Sequence, residues 1–108
     1  MKLLLKAGLL IDGTGTTAVS EGAVVIESDQ ISKVCKQSEL LESDIAGAEI
    51  ICKPNGTLMP GFIEMHSHIH CSAHTDAYTH ITTESNETFL MRGTQAVRSA
   101  LSSGVTTM

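Results

Sequence analysis

Basic side chains are scarce in this chain. Seven Lys and Arg stand against twelve Asp and Glu among 108 residues, for a formal net charge of −5. There is no basic run, and the only aromatics are Phe62, Tyr78 and Phe89. A nucleic-acid surface needs clustered cations and usually stacking aromatics, so nucleic acid is excluded as a partner. Long hydrophobic runs are also missing. Lys6 and Asp12 interrupt the opening Met1-Lys2-Leu3-Leu4-Leu5, and no small-residue cleavage site follows, so it does not read as a leader. No stretch approaches the roughly 20 apolar residues of a membrane span. The expectation is a soluble, cytoplasmic protein with no membrane partner. Cysteine is sparse as well: Cys35, Cys52 and Cys71 are odd in number, widely spaced and without a C-x-x-C pair. They read as reduced thiols rather than a disulfide framework or a zinc knuckle.

What is present first is β-patterning. Leu3 to Ala7 and Leu9 to Ile11 are β-prone runs around Gly8, read as a hairpin or bent strand. The turn sequence Asp12-Gly13-Thr14-Gly15-Thr16 closes them. Its glycines do not read as a phosphate loop, because no helix pattern opens after them. Val19 to Gly22 reads as a polar connector. Two strands, Ala23–Glu27 and Gln30–Val34, are joined tightly through Ser28-Asp29. Gln37 to Asp44 reads as a short helical turn or loop, Ala48 to Cys52 as a strand, and Pro54-Asn55-Gly56 as a turn. Residues 1 to 58 are thus predicted to be small antiparallel β-structure with no chemistry of their own.

The chemistry concentrates in the next stretch, Leu58-Met59-Pro60-Gly61-Phe62-Ile63-Glu64-Met65-His66-Ser67-His68-Ile69-His70. Pro60-Gly61 makes a turn, and Phe62 to Met65 reads as a short apolar strand. Residues two apart in a strand share a face. His66 and His68 are therefore expected side by side at the strand's C-terminal end, on the face of Phe62 and Glu64. Two neutral imidazoles so placed form a half-site for Zn²⁺ or a similar cation. His70 shares the face only if the strand runs on. A polar loop from Cys71 to Thr83 follows, with His74, Asp76 and His80 as its titratable residues and no base placed beside Cys71. Phe89, Leu90, Gly93, Ala96, Val97, Ala100 and Leu101 then recur at helical spacing. The spacing predicts a helix over 86–103, capped by Ser85 or Asn86, with Glu87 in its first turn and Gly104 as its stop. Val105 to Met108 opens a new strand, which completes one βαβ unit.

The run Leu-Met-Pro-Gly-Phe-Ile-Glu-Met-His-Ser-His resembles the first barrel strand of the amidohydrolase superfamily. These are metal-dependent hydrolases related to imidazolonepropionase, dihydroorotase and prolidase-like dipeptidases. Their usual pattern is Pro-Gly-Leu/Phe-Ile-Asp-x-His-x-His, so Glu64 stands here where aspartate is usual. Thr82-Thr83-Glu84-Ser85, Arg92-Gly93, Ala96-Val97-Arg98 and Gly104-Val105-Thr106-Thr107 also resemble the imidazolonepropionase-like and prolidase-like branch.

The resemblance implies an α/β chain. Residues 1–58 would form part of a small β-sandwich that the distant C-terminus completes. Residues 59–108 would begin a (β/α)₈ TIM-like barrel with its strand 1, loop, helix 1 and the start of strand 2. A whole barrel takes roughly 250 residues, so the chain is expected to be an N-terminal fragment. The implied activity of the parent is hydrolysis of an amide or cyclic-amide C–N bond by metal-activated water. A deaminase of the same superfamily and a non-catalytic β-structured fragment are the alternatives. His66 and His68 would be metal ligands, Glu64 and His70 second-shell or substrate-loop groups, and no catalytic residue is assigned. The implied cofactor is a divalent metal, foremost Zn²⁺, as one or two ions. The implied partner is a small-molecule or dipeptide-like substrate, and a homo-oligomeric parent is compatible with the resemblance. The family's later ligands, a lysine (often carboxylated), two histidines and an aspartate that serves as base, have no counterpart here. The fragment alone is therefore expected to be inactive.

Overall fold

The computed structural model describes residues 1–71 and 75–108, and of Ala77 and His80 the backbone only. His74 lies outside the described residues. The chain divides into two compact units, Met1–Pro60 and Gly61–Met108.

The first unit is a five-stranded sheet built around β1 (Lys2–Leu10). β1 pairs antiparallel with β2 (Val19–Ser20) and with β3 (Gly22–Glu27), and β3 pairs antiparallel with β4 (Gln30–Lys36). The predicted hairpin is present, with Glu27 facing Gln30 across the turn. Ser28 rather than Asp29 takes the left-handed conformation there, at φ 60°. The predicted all-antiparallel arrangement is corrected by β5 (Glu49–Leu58), which runs parallel to β1 with Leu3 facing Glu49 and Leu10 facing Leu58. Parallel neighbours need a crossover of a dozen or more residues. Here β2, β3 and β4 all intervene between β1 and β5, and residues 37–48 carry the chain across from β4 to β5 as a 3₁₀ turn (Gln37–Glu39) and the four-residue helix α1 (Glu42–Ile45).

Two further expectations change in this unit. Val19–Ser20 is not a connector but a two-residue strand on β1, leading into β3 through Glu21 at φ 52°. Pro54-Asn55-Gly56 does not end a strand. It is an irregularity inside β5: the register passes from Ala7–Lys53 to Leu9–Thr57, with extra residues on the β5 side. Such a bulge lets one strand carry turn-type residues without leaving the sheet. Gly8 makes room for it, since a Cβ there would stand 2.1 Å from the Pro54 carbonyl oxygen.

The core lies on one face of this sheet. Leu4, Ala23 and Val25 are buried there, with Cys35, Leu40 and Ala48 packed against them. The crossover is tied down by polar side chains. Lys33 donates to Asp44 at 2.7 Å and to the Glu39 carbonyl at 3.0 Å, and Lys2 donates to the Ser43 carbonyl at 2.7 Å. Gln37 reaches the Ala7 carbonyl at 3.1 Å. The opposite face is open: Leu5, Val24, Ile26, Ile31 and Val34 line an apolar groove of about 190 Å³.

The second unit is a βαβ arrangement. β6 (Phe62–Ile63) pairs parallel with β7 (Val105–Thr107), and α2 (Ala77–Thr83) and α3 (Asn86–Ser102) lie between them in sequence. The predicted loop from Cys71 to Thr83 therefore contains a helix. Asp76 caps α2, accepting from the Thr79 amide at 3.3 Å. α3 matches its predicted span closely. Ser85 caps it through the Thr88 amide, and the following Gly104 has φ 93°.

Candidate metal centre

The histidine stretch departs from the expected strand. β6 ends at Ile63, so the predicted strand Phe62–Met65 is halved. The physical reason is Glu64. Its amide still donates to the Thr107 carbonyl at 2.9 Å, but its carboxylate turns back onto the His66 amide, also at 2.9 Å. A side chain that accepts from the backbone two residues on competes with the strand ladder and bends the chain. A second turn follows, closed by the Cys71 amide on the His68 carbonyl at 2.9 Å, so His70 leaves the strand direction altogether.

The bend nonetheless brings the two imidazoles together. His66 Nε2 and His68 Nε2 are 2.9 Å apart, with ring centroids 5.0 Å apart and planes inclined at 58°. Both residues are exposed. Tetrahedral Zn²⁺ with ligand nitrogens at its usual range sets adjacent nitrogens about 3.3 Å apart. A small rotation of either ring covers the difference, so the pair fits a shared cation as two adjacent ligands. Among the described residues, no group of three or more His, Cys, Asp or Glu gathers around it.

The other candidates fall apart from this pair. Glu64 faces the main chain of His66 rather than a ring. His70 lies edge-on to His68, with centroids 6.4 Å apart, and stacks on Phe89 at 5.5 Å. It also borders an apolar groove of about 650 Å³ with Ile69, Phe89, Leu90 and Val97. Asp76 serves the helix start. Glu84, half-buried, forms an ion pair with Arg92, and that hydrogen bond holds the guanidinium above its ordinary range. The cysteines are free, and burial pushes the Cys35 thiol up, away from reactivity. Two features escaped sequence reasoning. Asp76 three residues before Thr79 is a legible capping spacing, whereas nothing in the spacing of Phe89 and His70 announces that their rings meet.

No family model matches the chain. A 5-methylthioadenosine/S-adenosylhomocysteine deaminase from Caldicellulosiruptor saccharolyticus is 32% identical over 68 residues, which is 63% of this chain and 16% of that protein. A Xaa-Pro dipeptidase with methionine bound in its active site superposes with a TM-score of 0.79 at 28% identity, over 98% of this chain and 25% of its own. A prolidase complexed with N-methylphosphonate-L-proline gives 0.79 at 25% identity, again over 98% of this chain and 24% of its own. The ochratoxinase of A. niger gives 0.81 over 97% and 24%, and at 24% identity it speaks for the fold alone. The chain thus spans about a sixth to a quarter of the length of these relatives. Histidine motif, sequence match and fold agree in their likeness to amidohydrolase-superfamily enzymes, among them a deaminase, a Xaa-Pro dipeptidase and a prolidase.

Proposed function

We propose that the chain is the N-terminal part of a metal-dependent hydrolase that cleaves an amide or cyclic-amide C–N bond in a small-molecule or dipeptide-like substrate. The favoured types are a prolidase-like dipeptidase and an imidazolonepropionase-like hydrolase. The carrying observation is the approach of His66 Nε2 to His68 Nε2, 2.9 Å, directly after Pro60-Gly61-Phe62-Ile63-Glu64. A divalent cation, Zn²⁺ first among the candidates and one or two in the complete protein, would supply water activation and carbonyl polarisation. His66 and His68 would hold it, and Glu64 fixes the bend that presents His66. The acid–base groups and the remaining ligands belong to the rest of the complete protein, as do the strands that complete a β-sandwich and a (β/α)₈ barrel. That protein is read as cytoplasmic, and a homo-oligomeric assembly is compatible with this reading. By itself, the 108-residue chain is expected to show no metal-dependent hydrolysis, because most ligands and the general base lie outside it. Turnover by the purified chain that a chelator abolished would contradict this.

A deaminase is the second reading, favoured by the named activity of the 32% identical relative. A non-catalytic β-structured fragment is the third. Calorimetric titration with Zn²⁺ separates the third from the others. Binding is expected to be weak and to be mostly lost in His66→Ala and His68→Ala. His80→Ala should change little, and an equal loss there would move the site to the loop. In the complete protein, release of proline from a Xaa-Pro dipeptide supports the favoured reading. Release of ammonia from methylthioadenosine supports the second.

A further inference from the structure

Four rings run in series from the bend to the helix. His66 and His68 have centroids 5.0 Å apart, His68 and His70 6.4 Å, and His70 and Phe89 5.5 Å. The last pair is nearly parallel, at 30°. Phe89 stands in the first turn of α3, one helical turn before Gly93. Gly93 is the buried residue of that helix, and a Cβ there would come to 3.8 Å from the Ile69 carbonyl oxygen. Residues four apart share a helix face. One face of α3 therefore meets two consecutive loop residues, Ile69 through Gly93 and His70 through Phe89. Below His68, the loop is also restrained by the Glu64 bond to His66, the Ser67 hydroxyl on Met108 Sδ at 3.8 Å and the turn closed by Cys71.

We propose that Phe89 is a positioning residue for the His66–His68 cation site, acting through the His70 ring, while Gly93 keeps the space in which the loop rests on α3. The proposal rests on reading that histidine pair as a cation half-site. The physical reason is preorganisation. An exposed loop that must order before two imidazoles converge binds less tightly than one already held in place. An aromatic stack adds to simple apolar contact by an amount that corresponds to roughly two- to tenfold in affinity.

Zn²⁺ titration calorimetry on the 108-residue chain, with imidazole-detected NMR alongside, tests this. Phe89→Leu keeps apolar bulk but removes the stack. It is expected to weaken Zn²⁺ binding roughly two- to tenfold and to move the His70 ring resonances, and Phe89→Tyr should restore both. A purely packing role for Phe89 predicts instead that Leu suffices. Gly93→Ala, with an ordinary contact distance to Ile69, should bind as the wild type does. Gly93→Leu, which leaves Phe89 untouched, should weaken binding by displacing Ile69 and also keeps the test informative if Phe89→Leu fails to fold. Wild-type affinity in Phe89→Leu, or in Gly93→Leu, overturns the proposal. If the wild-type chain takes up no Zn²⁺, or His66→Ala takes it up equally, the cation reading itself fails, and the proposal fails with it.

Discussion

Glu64 acts on His66 through its amide, and this makes a sharp distinction among substitutions. The bond runs from a carboxylate to the backbone two residues on, 2.9 Å away. Aspartate makes the same kind of bond readily in turns, so Glu64→Asp should keep the bend, and with it most Zn²⁺ affinity. Glu64→Ala leaves the bend without its acceptor and should weaken binding several-fold. Calorimetry on both variants decides, and equal affinities for Ala and wild type would remove Glu64 from the site. A second residue-scale expectation concerns Gly61. A Cβ there would fall 2.1 Å from Thr106 Oγ1, beside the short β6–β7 pairing. Gly61→Ala should destabilise the second unit by about 1–3 kcal/mol, as overpacking does elsewhere. Urea unfolding measures it, and an unchanged midpoint would mean that Thr106 turns aside freely.

At the scale of elements, the crossover of the first unit depends on one carboxylate. Asp44 accepts from Lys33 Nζ at 2.7 Å and from the Leu41 amide at 2.8 Å. The Lys33 hydrogen bond, then the Leu41 amide, hold its carboxyl below the usual carboxylate range. A lowered folded-state pKa contributes stability above the unfolded value, and that stability disappears as pH falls through the folded one. The stabilisation should therefore be complete above roughly pH 4 and be lost below it. Asp44→Asn should flatten this acid limb of the stability curve, which denaturation at pH 2 to 7 reports. α3 offers a parallel case. Ser85 caps it and also lowers the neighbouring Glu87 carboxyl by hydrogen bonding. Ser85→Ala should lower stability by about 1 kcal/mol.

Elements of this kind were legible in the sequence where local chemistry decides them. The β3–β4 hairpin followed from a tight polar turn between apolar runs, and α3 from its stripe, cap and terminal glycine. What escaped was set by neighbours distant in the chain. Pro54-Asn55-Gly56 reads as a turn until Gly8 is seen making room for a bulge beside it. Val19–Ser20 is too short to carry a period, and its pairing depends on Leu9 and Leu10. The two histidine rings do meet, but through a bend and not on the pleated strand face that the sequence predicts, because a side chain competes with the ladder. The metal role of that pair stands as a proposal. The ring series to Phe89 had no sequence signature at all.

At the scale of the whole molecule, the first unit carries the compact core, and Leu4 is 1% exposed at its centre. Leu4→Ala should lower stability by about 2–5 kcal/mol. Hydrogen exchange should then show faster amide exchange across β1, β3 and β4 together. Loss confined to β1 would mean that the strands do not form one cooperative sheet.

The parallel placement of β5 on β1 also has a kinetic meaning. The β3–β4 hairpin closes across two residues and can form within microseconds. β1 must wait for a partner encoded as far away as Leu58. Long-range pairing is the slow part of folding. During synthesis, the leucine-rich β1 leaves the ribosome well before β5, with one flank bare until β5 follows, and is the natural target for a chaperone in that interval. Of the two parallel neighbours, the one made earlier stays incomplete until the later one arrives.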